Sequence, residues 1–352
     1  MSLRVGLPED IDQMSRVLKS GFVYFLCLRE PAGTELPPYC KIGITTGEVQ
    51  SRIDTLQTGN PLEIFTYHSF ETKAAEMVER QLHHHYSDKR VRLEWFRLTE
   101  TEVKEAIQVA NNFKKDLEKF VDKFIALESK ESNGATVPAD SEALRLHTEA
   151  VEFDSQLLQY KMESNIIRSR MEKLTSKSRG IIGVTRVLIT KPKPSFKAGL
   201  LKAAERSLYD TFCTDEKFKS SFRILNKRSR SDFPELRVRE KEAKETVPKL
   251  EAIDVEESKL DRDERIAALH QEYIGLQKEA AETQRDFDLT SMRLRVKCGL
   301  NEGISDVCHY KRAMVMKFDE DSFRKKHPVL HEEYTTLEEP KRRFQVMKTR
   351  DY

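Results

Sequence analysis

Phe22-Val-Tyr-Phe-Leu-Cys-Leu28 and Lys41-Ile-Gly-Ile-Thr45 are the two runs whose reading decides how the first third of the chain folds. The first is an uninterrupted apolar run of strand-forming residues, and a Pro/Gly loop from Glu30 to Pro38 separates it from the second. Two such runs across a breaker-rich loop predict a hairpin. Working outward, Glu48 to Gln57 reads as a helix that Gly59-Asn60-Pro61 stops, and Leu62 to Phe70 alternates as a third strand. Lys73 to Tyr86 reads as a helix with Ala75, Val78, Leu82 and Tyr86 on one face. A short strand near Trp95-Phe96-Arg97-Leu98 precedes a helix that opens at Thr99-Glu-Thr-Glu102 and runs to about Leu127. Residues 21–127 therefore read as one small α+β domain, a three-stranded sheet with helices. Residues 1–20 read as a short amphipathic helix leading into it.

Beyond a Ser/Asn/Gly/Pro linker at 128–140, the chain repeats itself. Leu146-His147-x-Glu149 recurs as Leu269-His270-x-Glu272, and Gly180-Ile181-x-x-Val184 as Gly303-Ile304-x-x-Val307, both at an offset of 123 residues. After a one-residue deletion the offset becomes 122. Phe196 then pairs with Phe318, Leu208 with Leu330, Phe212 with Tyr334, Phe222 with Phe344 and Ile224 with Val346. A register held over this length predicts a duplicated helix–strand–helix–strand module with long helices. The copies span 141–228 and 262–352. Between them, residues 229–261 are expected to be an acidic linker, since Glu245 to Glu264 holds eight carboxylates against three basic residues.

The gross numbers narrow the class. Of 352 residues, 38% are hydrophobic and 34% charged, which points to long solvated helices beside a compact domain rather than to disorder. The net charge of +2 gives no global field for nucleic acid, so any such signal must be local. Five cysteines with no CxxC pair argue against a disulfide framework and a zinc site. No signal peptide and no membrane-length apolar run are expected, and the chain reads as a soluble cytoplasmic protein.

The first domain carries parts for phosphodiester chemistry. Such chemistry needs a base, a cation near the phosphate and a metal held by a carboxylate. Tyr24 lies in the first strand, and Lys41 opens the second, expected beside Tyr24 across the hairpin. Arg52 is on the following helix, and Glu79 with His83 one turn later shares a face of the next. Each has a structural alternative: Tyr24 a core residue, Lys41 an edge-strand charge, Arg52 and Glu79 solvated helix charges. Trp95 reads better as core than as a base-stacking residue. His83-His84-His85 point in different directions and make a poor metal site.

Gly21-Phe-Val-Tyr24, Lys41-Ile-Gly43, Ser51-Arg52-Ile53, Val78-Glu79-Arg80-Gln81-Leu82-His83 and Glu94-Trp95-Phe96 occur in an order that resembles GIY-YIG nucleases. The likeness is to the phage-type branch with KIG in place of YIG, and covers about a hundred residues. It implies a metal-dependent DNA endonuclease. Tyr24 would serve as base or water-positioning residue, with Lys41 replacing the second tyrosine and its ammonium favouring phenolate. Arg52 would clamp the scissile phosphate, Glu79 would hold Mg²⁺ or Mn²⁺, and His83 would act as acid or backbone contact.

In the duplicated half, Arg186 to Lys241 holds fifteen Lys and Arg against seven Asp and Glu, with aromatics interleaved. That composition suits either a nucleic-acid surface or an ordinary solvated module. Lys191, Lys193, Lys219, Arg223, Arg228, Lys341, Arg342 and Arg343 are the candidate contacts to DNA or RNA. Phe318-Asp-x4-Arg-Lys-Lys-His-Pro-x-Leu330-x3-Tyr334 resembles a segment of phage lambda-exonuclease-type recombinases and implies a phage or prophage setting. Leu144, Val151 and Leu158 fall at heptad spacing, but charges interrupt the seam. The two long helices are expected to pack on each other within the chain, with a homo-oligomer through them as the second expectation. Two further readings stand beside the nuclease: a GIY-YIG-like DNA-binding protein with weak catalysis, and a helical scaffold.

Overall fold

The computed structural model describes residue 18, residues 20–30 and residues 38–347. The expected helix at 1–20 lies outside the described residues, apart from those two positions. The chain divides into two units: Met1–Gly134 with Arg295–Asn301, and Ala135–Leu294 with Glu302–Tyr352. Among the described residues no helix is long and apolar enough to cross a membrane.

In the first unit, β1 (Gly21–Arg29) is the central strand. It pairs antiparallel with β2 (Tyr39–Thr45), the expected hairpin, and with β3 (Glu63–Thr72) on its other side. Two short strands, β4 (Arg90–Arg92) and β5 (Trp95–Arg97), extend the sheet to five in the order β3-β1-β2-β5-β4. The sheet is thus wider than the three strands expected. Strand β1 reads as continuously apolar because both its faces are covered, and Val23 to Leu28 are all buried. On the face of Tyr24, Leu26 and Leu28 lies α1 (Val49–Gln57), whose Ile53 joins their cluster. Helix α2 (Ala75–His85) packs on β1 and β2, and α3 (Glu100–Glu128) on α2 and β3. Thr99 starts α3 with a capping box: its hydroxyl accepts from Glu102 N–H (3.4 Å), and the Glu102 carboxylate accepts from Thr99 N–H (2.8 Å).

The second unit shows the duplication element by element. Copy one runs β6 (Thr136–Val137), α4 (Ser141–Thr175), β7 (Gly180–Ile181), β8 (Thr185–Ile189), β9 (Lys193–Phe196), α5 (Ala198–Ala204), α6 (Arg206–Thr211) and β10 (Cys213–Ile224). After α7 (Pro234–Glu245), copy two runs α8 (Glu264–Cys298), β11 (Gly303–Ile304), β12 (Cys308–Phe318), α9 (Glu320–Lys326), α10 (Pro328–Glu333), β13 (Thr335–Glu338) and β14 (Arg342–Val346). Equivalent hydrogen bonds recur at both offsets. His147 Nε2 donates to Leu225 O (2.9 Å) and His270 Nε2 to Met347 O (2.8 Å), while Asp319 N bonds Phe212 O and Lys197 N bonds Tyr334 O, both at 2.8 Å. Gly180 and Gly303 meet one requirement in both copies, since a Cβ would stand 2.3 Å and 2.4 Å from the carbonyls of Thr185 and Cys308.

The copies exchange strands. The last strand of copy one, β10, pairs with β12 of copy two, while β13 and β14 of copy two pair with β9 and β8 of copy one. The two long helices lie antiparallel. Ile167 and Met171 near the end of α4 share a core with Ile266 near the start of α8, joined by Leu269, Tyr273 and Leu276. Leu144 of the heptad is 51% exposed, and Ala143, Leu146 and Ala150 are buried in its stead, so the seam drawn from the sequence is not the packed face.

Three other expectations change. The 128–140 linker includes β6, which pairs parallel with β11 and belongs to the repeat. The acidic linker at 229–261 contains α7, which packs on α4 and buries Glu240 against Asn165, Arg230 and Lys244. The single short helix expected in each copy is two, broken at Glu205 and at His327.

Candidate active site

The site is built on the β1–β2 hairpin and the helices that follow it. In that hairpin Tyr24 stands opposite Gly43, and Lys41 opposite Leu26. The Tyr24 ring lies over Gly43: a Cβ there would fall 2.6 Å from the hydroxyl and 2.8 Å from two ring carbons. The glycine of the Lys-Ile-Gly run is therefore the floor on which the tyrosine rests. Tyr24 is 1% exposed, and the Arg52 guanidinium from α1 is the cation that acts on its hydroxyl. Burial raises the phenol above its ordinary value, the Arg52 contact opposes that, and the charges of Glu94 and Glu79 add to the rise. The phenol in turn raises Arg52.

Lys41 does not stand beside Tyr24 as the sequence suggested. It shares the sheet face of Tyr24, two paired positions further along, and is ion-paired with Glu94. Its side chain is nearly buried while that of Glu94 is half-exposed, so the carboxylate compensates a charge that could not otherwise sit there. The cation that reaches the phenol is Arg52.

His83 on α2 meets the edge of β2. Strand β5 pairs with β2 only as far as Lys41, and Ile42 N–H finds the carbonyl of Glu94 (3.1 Å). The carbonyl of Ile42 accepts from His83 Nε2 (2.9 Å). A carbonyl can only accept, so Nε2 carries the proton and a neutral ring keeps its lone pair on Nδ1. The imidazole packs against Phe96 with centroids 5.1 Å apart. Burial lowers its pKa below the ordinary value, against the opposing effect of the backbone bond.

Glu79, one turn before His83, is half-buried and close enough to Tyr24 for its charge to act on the phenol. Among the described residues no group of three or more His, Cys, Asp or Glu converges on a metal position. A donor set resting on Glu79 suits a hard ion that keeps water and phosphate oxygens as its other ligands; it does not suit zinc.

Tyr24, Arg52, Glu79 and Glu94 thus form one electrostatic cluster, with Lys41 and His83 at its border. Glu94 is the member sequence reasoning passed over. In the sequence it stands only as the start of Glu94-Trp95-Phe96, and what marks it is its pairing with Lys41 across the sheet. Of the candidate contacts in the second unit, Lys191, Lys193, Lys219, Arg223, Arg228, Lys341 and Arg343 are exposed. Arg342 is a correction: its side chain is 8% exposed and ion-paired with Glu172 (2.6 Å), which leaves it no free face for a phosphate.

Residues 21–111 match the family model of the T5orf172 domain, a phage-type family of nuclease-like character, which points this part of the chain to nuclease-like or DNA-binding work. Neither the curated proteins nor the solved structures contain a match to the chain.

Proposed function

We propose that the first unit is a GIY-YIG-type endonuclease domain that hydrolyses phosphodiester bonds in DNA with a divalent metal, Mg²⁺ or Mn²⁺. The observation that carries this reading is the Tyr24 phenol seated over Gly43, where no side chain could stand, with the charges of Arg52 and Glu79 acting on it. Arg52 is exposed, and its planar fork can take a phosphate oxygen while keeping the phenol in place. A divalent ion held by Glu79 would polarise the phosphate and lower the pKa of a bound water. Tyr24, kept as a neutral phenol by burial, orients the attacking water through its oxygen and serves as a positioning residue rather than a strong base. His83 locks α2 to β2 and so fixes Glu79 against the hairpin. Lys41 and Glu94 set the local field.

A second reading, a DNA-binding domain with weak cutting, draws support from the same Lys41–Glu94 pair, which leaves no second phenol in the cluster. Cleavage of supercoiled, linear and single-stranded DNA with Mg²⁺, Mn²⁺ or EDTA separates the two, with Glu79→Ala beside the wild type. The nuclease reading expects metal-dependent cutting that Glu79→Ala abolishes while DNA binding persists. Salt-sensitive binding without cutting on any substrate transfers the case to the binding module.

A further inference from the structure

A groove in the second unit, between α4, α8 and β14, encloses about 710 Å³. Tyr160, Lys161 and Arg168 line it from α4, Tyr273 and Gln277 from α8, and Arg343 from β14. None of its fourteen lining residues is acidic, although 59 of the 352 residues in the chain are. Lys161, Arg168 and Arg343 are exposed, and among the described residues no carboxylate pairs with any of them. Arg168 is held in place by Phe344, donating to its carbonyl (3.2 Å) and lying 5.7 Å from its ring centroid.

The duplication supplies an internal comparison. The paired histidine bonds fix the register at 123 along the helices and 122 at the last strands. At the positions equivalent to Tyr160, Lys161 and Arg168 stand Thr283, Gln284 and Ser291. Those equivalent to Tyr273, Gln277 and Arg343 are Ala150, Asp154 and Ser221. Every cation and every tyrosine has a neutral, non-aromatic counterpart, and one amide has a carboxylate. The shared fold therefore does not need this chemistry, since the same backbone is built without it in the other half.

Two tyrosines, three cations and several amides are the parts that take a base and its phosphate; the carboxylates nearby, Glu240 and Asp288, are behind the lining, bonded to Asn165 and Gln284. Aromatic faces stack bases, and amides read their edges; cations hold the phosphodiester. We propose that this groove binds a nucleoside phosphate, supplied as a free nucleotide or as one unit of a single strand, apart from the Tyr24–Arg52 cluster. The proposal does not depend on the nuclease reading.

The test uses the full chain in EDTA, with a short oligothymidylate carrying 5-iodouracil as photocross-linking probe and thymidine 5′-monophosphate as competitor. The expected cross-links fall in peptides containing Tyr160 or Tyr273. Arg343→Ser and Lys161→Gln, each the residue of the other copy, should weaken that cross-link about fivefold and reduce the salt slope by about 0.7 per lost contact. Both substitutions are at exposed positions, and an unchanged unfolding temperature shows that the fold is kept. Competition by the monophosphate at micromolar concentration assigns the site to free nucleotides, and competition by oligonucleotide alone assigns it to a strand. Cross-links confined to residues 21–111, or groove cross-links indifferent to both substitutions, overturn the proposal.

Discussion

Gly43→Ala tests the hairpin most directly, because the usual sign of the substitution is reversed. In a strand, glycine to alanine ordinarily stabilises by about 0.5–1 kcal/mol through reduced freedom of the unfolded chain. Here the new methyl would stand 2.6 Å from the Tyr24 hydroxyl and 2.8 Å from its ring, on a side chain 1% exposed. The ring cannot leave without disturbing Ile53 and Leu26 of its own cluster. The expected cost is that of overpacking, about 1–3 kcal/mol, with the placement of the phenol against Arg52 disturbed as the ring tilts. A double-mutant cycle with Tyr24→Ala isolates the contact. In the Tyr24→Ala background the methyl has room, so Gly43→Ala should be neutral or stabilising, a coupling of at least ~1 kcal/mol. Chemical denaturation of the four proteins measures it. Equal cost of Gly43→Ala in both backgrounds would refute the claim that the glycine serves the tyrosine.

Three further outcomes follow from the same geometry. His83 has a pKa depressed below the ordinary 6.5, so the stability it contributes is present above that pH and is lost as pH falls through its folded value. Unfolding followed from pH 7.5 to pH 5 should show a loss that His83→Gln reduces; an unchanged profile would remove His83 as the titrating group. Replacing Arg52 by Leu removes the interaction that holds the Tyr24 phenol down against burial, so its ionisation should move further above 10, read as tyrosinate absorbance in an alkaline titration. His147→Ala and His270→Ala each delete one member of an equivalent pair of backbone bonds, and each should cost at least ~1 kcal/mol. A large cost at one position and none at the other would show that the two copies do not share the contact's role.

Much of the first unit was legible because its signals are local. The unbroken run at Phe22 to Leu28, the breakers at Gly59-Asn60-Pro61 and the cap at Thr99 each act within a few residues, and the elements they predict are present. Tyr24, Lys41, Arg52, Glu79 and His83 were also legible, as types at a spacing, but Glu94 and the pairings among them were not. Lys41 was placed beside Tyr24 because both sit in the hairpin. The loop sets the register, which puts Lys41 two paired positions from Tyr24, so the phenol meets Arg52 and the ammonium meets Glu94. In the second half, repetition revealed the module, yet nothing in a repeat says whether a strand pairs within its own copy or across to the other. Helix α7 was missed for a different reason. Its mean composition is that of a solvated linker, and only the burial of Glu240 between Arg230, Lys244 and Asn165 distinguishes it.

The crossed strand pairing has a consequence for how the protein is made. Strand β8 ends at Ile189, and its partner β14 begins at Arg342, about 150 residues later on the ribosome. At ~5–20 residues per second, translation leaves β8 without its neighbour for on the order of 10–30 s. Throughout that interval the nascent chain shows an uncovered edge to solvent, and two ribosomes on one message hold such edges near each other. Slow codons between Lys227 and Glu264 would lengthen the interval without altering a single native contact. The yield of active protein would then fall while the purified molecule kept its normal melting temperature.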